Sequence, residues 1–282
     1  MQSVVVTGAS TGIGYGIAKV LTEKGWRVFG SVRKPEDGVR VRDALGENFH
    51  PLIFDITDES AVASAAGHVG EMLGSERLAG LVNNAGVAFP GPLAELPVDE
   101  FRQQLEINVT GQLIVTQAFA PLLGTDPERK GTPGRIVNIT SVGGKLGSPF
   151  LGAYVASKHA MEGFSESLRR EFMLYGIDVI IVGPGSVATP IWDKADELDI
   201  ERYSNSPFLP ALKEFQKTMI ENGRKGLPPE RIGEAVATAL TAARPKARYA
   251  VVPNALQNWV LPRLLPRRLV DRVFASRLGL KR

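Results

Sequence analysis

The 282-residue sequence predicts a doubly wound α/β domain, one parallel sheet of about seven strands with helices on both faces. Short apolar runs alternate with longer segments of helical period, the pattern of repeated βαβ units. The runs are continuously apolar, as strands buried on both faces must be. The first of them, Ser3-Val4-Val5-Val6-Thr7, leads straight into a glycine-rich turn and a helix. Hydrophobic residues at 44% and charged residues at 22% suit a large core, so a single domain over residues 1–282 is expected.

In order, strands are expected at 4–7, 27–32, 50–55, 80–83, 134–141, 178–183 and 249–252. Helices are expected at 12–24, 59–72, 99–123, 153–175 and 230–242. Thr57-Asp58-Glu59 and Asp99 supply start signals, and Gly25 and Gly176 supply stops. Pro35-Glu36-Asp37 opens a further helix, its acids matching the positive end of the dipole. Residues 1–189 form the expected core. The stretch 190–229 breaks the rhythm, with a helix-like segment at 209–221 framed by prolines, and reads as an insertion over the carboxyl ends of the strands. Residues 244–282 hold ten Lys/Arg against one acid, Asp271, in a chain of net charge +3. This basic extension carries Leu261, Leu264, Leu265, Leu269, Val273 and Phe274 between arginines. It suits a membrane surface or packing against the protein, and packing is the expectation.

Composition excludes several chemistries. Without cysteine there is no disulfide, zinc–thiolate site, iron–sulfur cluster or thiol nucleophile. His50, His68 and His159 lack metal-ligand spacing, so no metal is expected. No apolar run reaches the ~18 residues that span a bilayer, and the N-terminus lacks the features of a signal peptide, so a cytoplasmic protein is expected. The basic charge belongs to the tail, and no nucleic-acid role follows.

The turn Thr7-Gly8-Ala9-Ser10-Thr11-Gly12-Ile13-Gly14 joins strand to helix, and a helix N-terminus offers free N–H groups to a pyrophosphate. A tight turn without ligand uses glycines too, and the spacing departs from G-x-G-x-x-G. It is instead G-x-x-x-G-x-G, and with Asn83-Asn84-Ala85-Gly86 it resembles the short-chain dehydrogenase/reductase family, a Rossmann-type group. The resemblance, over residues 4–189, implies a nicotinamide cofactor held by Gly8, Ser10, Thr11, Gly12, Ile13, Gly14, Asn83, Ala85 and Gly86. It places Asp55 on the adenine, with Ile56 alongside. Pro184, Gly185, Val187 and Thr189 match its nicotinamide-facing loop. Narrower likeness points to members acting on hydroxysteroids and retinoids. After strand two the chain reads Ser31-Val32-Arg33-Lys34, with no carboxylate for a ribose hydroxyl. Arg33 offers a donor fork to a 2′-phosphate, favouring NADP(H); NAD(H) is the alternative if Glu36 or Asp37 reaches the ribose.

Tyr154 and Lys158 are i and i+4 on an expected helix, so they share one face roughly 6 Å apart. Ser141 ends a strand thirteen residues earlier, with Gly143, Gly144 and Gly147 free to fold back. Interconverting an alcohol and a carbonyl needs a group that takes or gives a proton as hydride moves. A phenol near its usual pKa of ~10 needs a neighbouring ammonium to act as base at neutral pH. Ser141 would hold the substrate oxygen. By the resemblance Lys158 also binds the nicotinamide ribose, and Asn108 completes the catalytic set by holding a water linked to Lys158. A mid-helix asparagine also satisfies a kinked backbone, and that reading stays open.

Candidate substrate contacts are Ser141, Val142, Leu146, Phe150, Tyr154, Ile191, Trp192 and Phe208, which suggest a hydrophobic alcohol or ketone; packing of a loop core is the equal alternative. Family analogy implies a homodimer or homotetramer through the helices at 99–123 and 153–175. A non-catalytic dinucleotide sensor is the competing class. The presence of Asn108, Ser141, Tyr154 and Lys158 together favours an enzyme.

Overall fold

The computed structural model describes residues 1–197 and 199–280. Residue 198 of the insertion and residues 281–282 of the basic extension lie outside the described residues. The strands are β1 (Ser3–Val6), β2 (Arg27–Val32), β3 (Phe49–Ile53), β4 (Gly80–Asn83), β5 (Arg135–Ile139), β6 (Asp178–Pro184) and β7 (Arg248–Val251). They form one seven-stranded parallel sheet in the order β3-β2-β1-β4-β5-β6-β7. The chain reverses its direction of growth between β1 and β4, where a doubly wound sheet opens a crevice at its carboxyl edge.

Helices cover both faces. α1 (Gly12–Glu23), α2 (Pro35–Leu45) and α9 (Pro229–Thr241) lie on one side; α3 (Glu59–Leu73), α5 (Gly111–Ala120) and α6 (Gly152–Glu171) lie on the other, with α4 (Val98–Leu105) packed against α6. The alternation of side chains along each strand sorts the core. Val4 and Val6 join Ile17, Leu21, Val236 and Leu240 on the first face, whereas Val5 joins Val62, Val115 and Phe119 on the second. A third cluster, Phe150, Tyr203, Ala211, Leu212, Phe215 and Leu278, joins the insertion helix α8 (Leu209–Arg224) to the last helix, α11 (Arg267–Leu278), and the short α7 (Ile191–Asp196) packs on α8.

The expected helix at 99–123 runs through but is widened twice. A wide π-type turn over Glu106–Thr110 separates α4 from α5, and a second follows at Pro121–Thr125, where Gly124 has φ +140°. Pro121 has no N–H to continue the ladder, and Asn108 is drawn sideways by its bonds to the loop after β4. The helix at 153–175 ends at Glu171, tightens over Phe172–Tyr175, and stops at Gly176 in the left-handed region. β3 and β5 end earlier than expected, so Asp55 and Ser141 stand just beyond the sheet.

The extension divides. A π-type turn over Leu256–Val260 and the short α10 (Leu261–Leu264) precede a break at Pro266. Phe274 and Leu278 pack on the third cluster, as expected. Trp259 is half-buried against Arg248, whereas Leu261, Leu264, Leu265, Leu269 and Val273 are exposed, so the packing expectation holds at the two ends of the tail and not along the apolar positions between them.

Candidate active site

The glycine turn is built from both sides of the crevice. Gly8 and Gly12 hold φ of +67° and +59°, a region that L side chains rarely enter. A Cβ at Gly14 would collide with the Gly8 carbonyl oxygen. From β4, Asn84 Nδ2 donates to the Thr7 carbonyl at 2.8 Å, and the Thr7 hydroxyl accepts from Asn84 N and Ala85 N at 2.9 and 3.0 Å. Asn84 was missed among the candidates, although it stands inside the quoted motif. The side chain of Thr11 does not cap α1, and no acid sits in the first turn. The helix end is therefore left for an anion. Gly12 faces Thr189 across the crevice, which brings the two glycine-containing loops together. A pyrophosphate fits this cradle.

Around the adenosine end, Arg33 is exposed and follows β2 directly. Asp37 is engaged by Arg40 at 2.7 Å, and Arg40 also donates to the Ser10 carbonyl at 2.9 Å. Glu36 and Asp37 lie in the first turn of α2, so no carboxylate ends β2. Asp55 Oδ1 accepts from the backbone and hydroxyl of Thr57, while Asp58 caps α3 and is held below its ordinary value chiefly by the Ala61 N–H. Two expected cofactor side chains face elsewhere. Asn83 donates to Thr116 and Asn138 inside the second core, and Ile56 packs against Gly111.

Three amides spaced four residues apart hold the loop after β4. Gln104 bridges Phe89 N and Val87 O, Asn108 bridges Val87 N and Val87 O, and Gln112 reaches Ala85 O. Asn108 Nδ2 also donates to Ser157 Oγ at 3.0 Å. The side chain of Asn108 thus ties the loop after β4 to α6 through Val87 and Ser157. Gln104 and Gln112 were missed; the signal was their i±4 spacing from Asn108.

Ser141, Tyr154 and Lys158 come together at the carboxyl end of β5. The Ser141 hydroxyl oxygen accepts from Gly143 N at 3.0 Å and turns the following loop onto α6, where a Cβ at Gly143 would touch the Tyr154 ring. Lys158 Nζ donates to the Ile139 carbonyl at 3.0 Å and lies 5.7 Å from the Tyr154 ring centre. Burial pushes the Tyr154 phenol up, with the Ser141 side chain pulling the other way, and burial takes Lys158 down to about 8. The expected lowering of the phenol by its lysine neighbour is not met in the protein alone, because the enclosure that brings the groups together strips water from both.

Of the substrate candidates, Val142 and Leu146 lie half-buried on the turn after Ser141, and Ile191 is exposed. Phe150 packs with Phe208 and Phe215 inside the third cluster at φ +62°. Trp192 fills the gap over Gly223 and donates its indole N–H to the Val187 carbonyl at 2.6 Å. Phe150, Phe208 and Trp192 are therefore engaged in packing the insertion. Pro184 ends β6, and Gly185 is pressed against Val252. Among the described residues no group of His, Asp and Glu is placed to hold a metal ion.

A doubly wound sheet with a glycine cradle at its switch point, and a serine, tyrosine and lysine beside it, defines the class of nucleotide-dependent oxidoreductases. Residues 2–199 match the short chain dehydrogenase family, and the chain belongs to it. The chain is 39% identical over 274 residues to an NADPH-dependent 3-dehydrocapnine reductase of Ornithobacterium rhinotracheale, covering 97% of this chain and 96% of that protein. It is 34% identical to human retinol dehydrogenase 5, covering 96% and 86%. A short-chain dehydrogenase structure from Streptomyces avermitilis superposes with a TM-score of 0.76 at 26% identity, covering 98% and 94%.

Proposed function

We propose that this oxidoreductase interconverts a ketone and a secondary alcohol, or an aldehyde and a primary alcohol, on an apolar substrate with NADP(H), and that Tyr154 exchanges the proton. The observation that carries this reading is the convergence of Tyr154, Ser141 and buried Lys158 beside a glycine cradle fit for pyrophosphate. When nicotinamide is bound in this cradle, hydride transfer would be its contribution. Ser141 steadies the substrate oxygen, Tyr154 gives its proton to that oxygen in reduction, and Lys158 holds positive charge beside the phenol. Burial raises the Tyr154 phenol from its ordinary value, which favours the protonated form that donation to a ketone oxygen requires. Gly8 through Gly14, Ala85, Gly86, Pro184, Gly185, Val187 and Thr189 would line the cofactor, with Asp55 toward the adenine and Arg33 toward a 2′-phosphate. The NADPH-dependent relative and the retinol dehydrogenase support the cofactor and the apolar substrate class.

Residues 1–282 act in this reading as one domain, with 190–229 as the substrate loop, in a cytoplasmic homodimer or homotetramer. No helix of the described residues is long and apolar enough to cross a membrane. The exposed leucines at 261, 264, 265 and 269 beside Arg263, Arg267 and Arg268 favour a second reading of the tail, contact with an anionic lipid surface. Co-sedimentation with anionic vesicles, lost on removing 263–282, is its test.

The main test is a panel of hydrophobic ketones and aldehydes followed by nicotinamide absorbance with both cofactors. Tyr154→Phe is expected to lower turnover by about a thousandfold while leaving cofactor affinity intact; wild-type turnover would remove Tyr154 from the reaction. Arg33→Asp is expected to shift preference toward NADH by at least about tenfold, and unchanged discrimination would refute the phosphate contact.

A further inference from the structure

A buried ion cluster one helical turn beyond Lys158 has no part in the reaction as described. Glu162 follows Tyr154 and Lys158 on the same face of α6 and is 2% exposed. Its Oε1 accepts from the Thr140 hydroxyl at 2.7 Å, and both oxygens accept from Arg248 Nε at 3.1 Å. Lys145 Nζ lies 3.3 Å from Oε2. Every one of these partners frames Ser141. Thr140 precedes it, Lys145 closes the turn that follows it, and Arg248 Nη2 donates to the Ser141 carbonyl at 3.3 Å. Gly144 leaves the space that Glu162 fills, and Gly183 of β6 leaves room for the Arg248 guanidinium. On its outer side Arg248 stacks on Trp259 at 4.2 Å, and Arg263 covers the same ring at 4.4 Å.

We infer that Glu162 and Arg248 are positioning residues for Ser141, and that the C-terminal extension, through Trp259, completes the clamp. A buried carboxylate shared by two cations and a hydroxyl is rigid only while all partners are present. Here they fix the main chain on both sides of Ser141, and with it the direction in which its hydroxyl meets a substrate oxygen. Trp259 keeps the guanidinium in line and shields the pair from water. The basic extension is thus tied to the chemical step by one stacked arginine.

The inference rests on the proposed role of Ser141, so the test is a double-mutant cycle with turnover of the best ketone from the panel and NADPH affinity as separate readouts. Glu162→Gln is expected to lower kcat by about tenfold to a hundredfold and to leave NADPH affinity within about twofold. In a Ser141→Ala background the same change is expected to cost less than about twofold, because the residue being aimed is gone. Equal fractional losses in both backgrounds would overturn the inference, since a general loosening of the fold multiplies. Should Glu162→Gln not fold, Trp259→Leu keeps the buried pair and is expected to lower kcat by about threefold or more, again only when Ser141 is present. A Trp259→Leu protein with unchanged kcat would refute the link to the extension. Tyr154→Phe separates the two levels. If it retains turnover the proposed function fails, and if it is inactive while the cycle multiplies, only the clamp fails.

Discussion

Lys158 is buried at 6% exposure, with its ammonium on the Ile139 carbonyl and no salt bridge to it among the described residues. In the unfolded chain the amine holds its proton up to its ordinary value of 10.5; in the fold it yields it at about 8. Between those values unfolding takes up a proton, so stability rises with pH; below about 8 the whole penalty is present, and above 10.5 it has gone. That gap corresponds to about 3 kcal/mol, less about 1 kcal/mol for the bond to Ile139. Lys158→Met is therefore expected to be inactive yet about 2 kcal/mol more stable at pH 7, the gain vanishing as the pH approaches that of a free lysine. Denaturant unfolding at several pH values checks it, and a variant less stable than wild type at pH 7 would contradict it. Tyr154, Lys158 and Ser141 were legible because one helical turn and one strand end fix them. Glu162 was not: an acid at the next turn ordinarily faces solvent, and its partner Arg248 comes from 86 residues away.

The strands and most helices were legible from apolar periodicity, because each is buried on a face that its own sequence declares. The widened turn between α4 and α5 was not, since it depends on the bonds that Asn108 makes to Val87 and Ser157. Gly14 and Gly67 show how far composition alone goes at this level. Both sit in helices, but a Cβ on Gly14 would collide with the Gly8 carbonyl and with Asn84, whereas one on Gly67 of α3 meets nothing within 4 Å. Gly14→Ala is expected to prise the turn from β4 and weaken NADPH binding by about tenfold or more. Gly67→Ala is expected to stabilise the protein by about 0.5–1 kcal/mol with cofactor affinity unchanged. Nicotinamide fluorescence titration and thermal unfolding of both variants separate the cases, and equal behaviour would mean that the turn tolerates the displacement.

At the scale of the molecule, two apolar clusters clamp the sheet and hold the crevice, while the third joins the insertion and the tail to Phe150 and Leu151 at the entry to α6. The first two follow from strand patterning and were foreseeable. The third joins α8 to α11, two segments separated in sequence by two helices and a strand, and nothing local announces that Leu278 belongs with Phe215. The arrangement makes the substrate loop dependent on the end of the chain and the cofactor site independent of it. Removing residues 267–282 uncovers Leu212 and Phe215, whose burial contributes about 1.5–3 kcal/mol per side chain, but leaves the clusters around β1 and β4 intact. The truncated protein is expected to bind NADPH within about twofold of the full chain, while limited proteolysis cuts first between residues 190 and 228 and KM for the ketone rises. Cleavage spread evenly along the chain, or a parallel loss of cofactor affinity, would show that the third cluster supports the sheet after all.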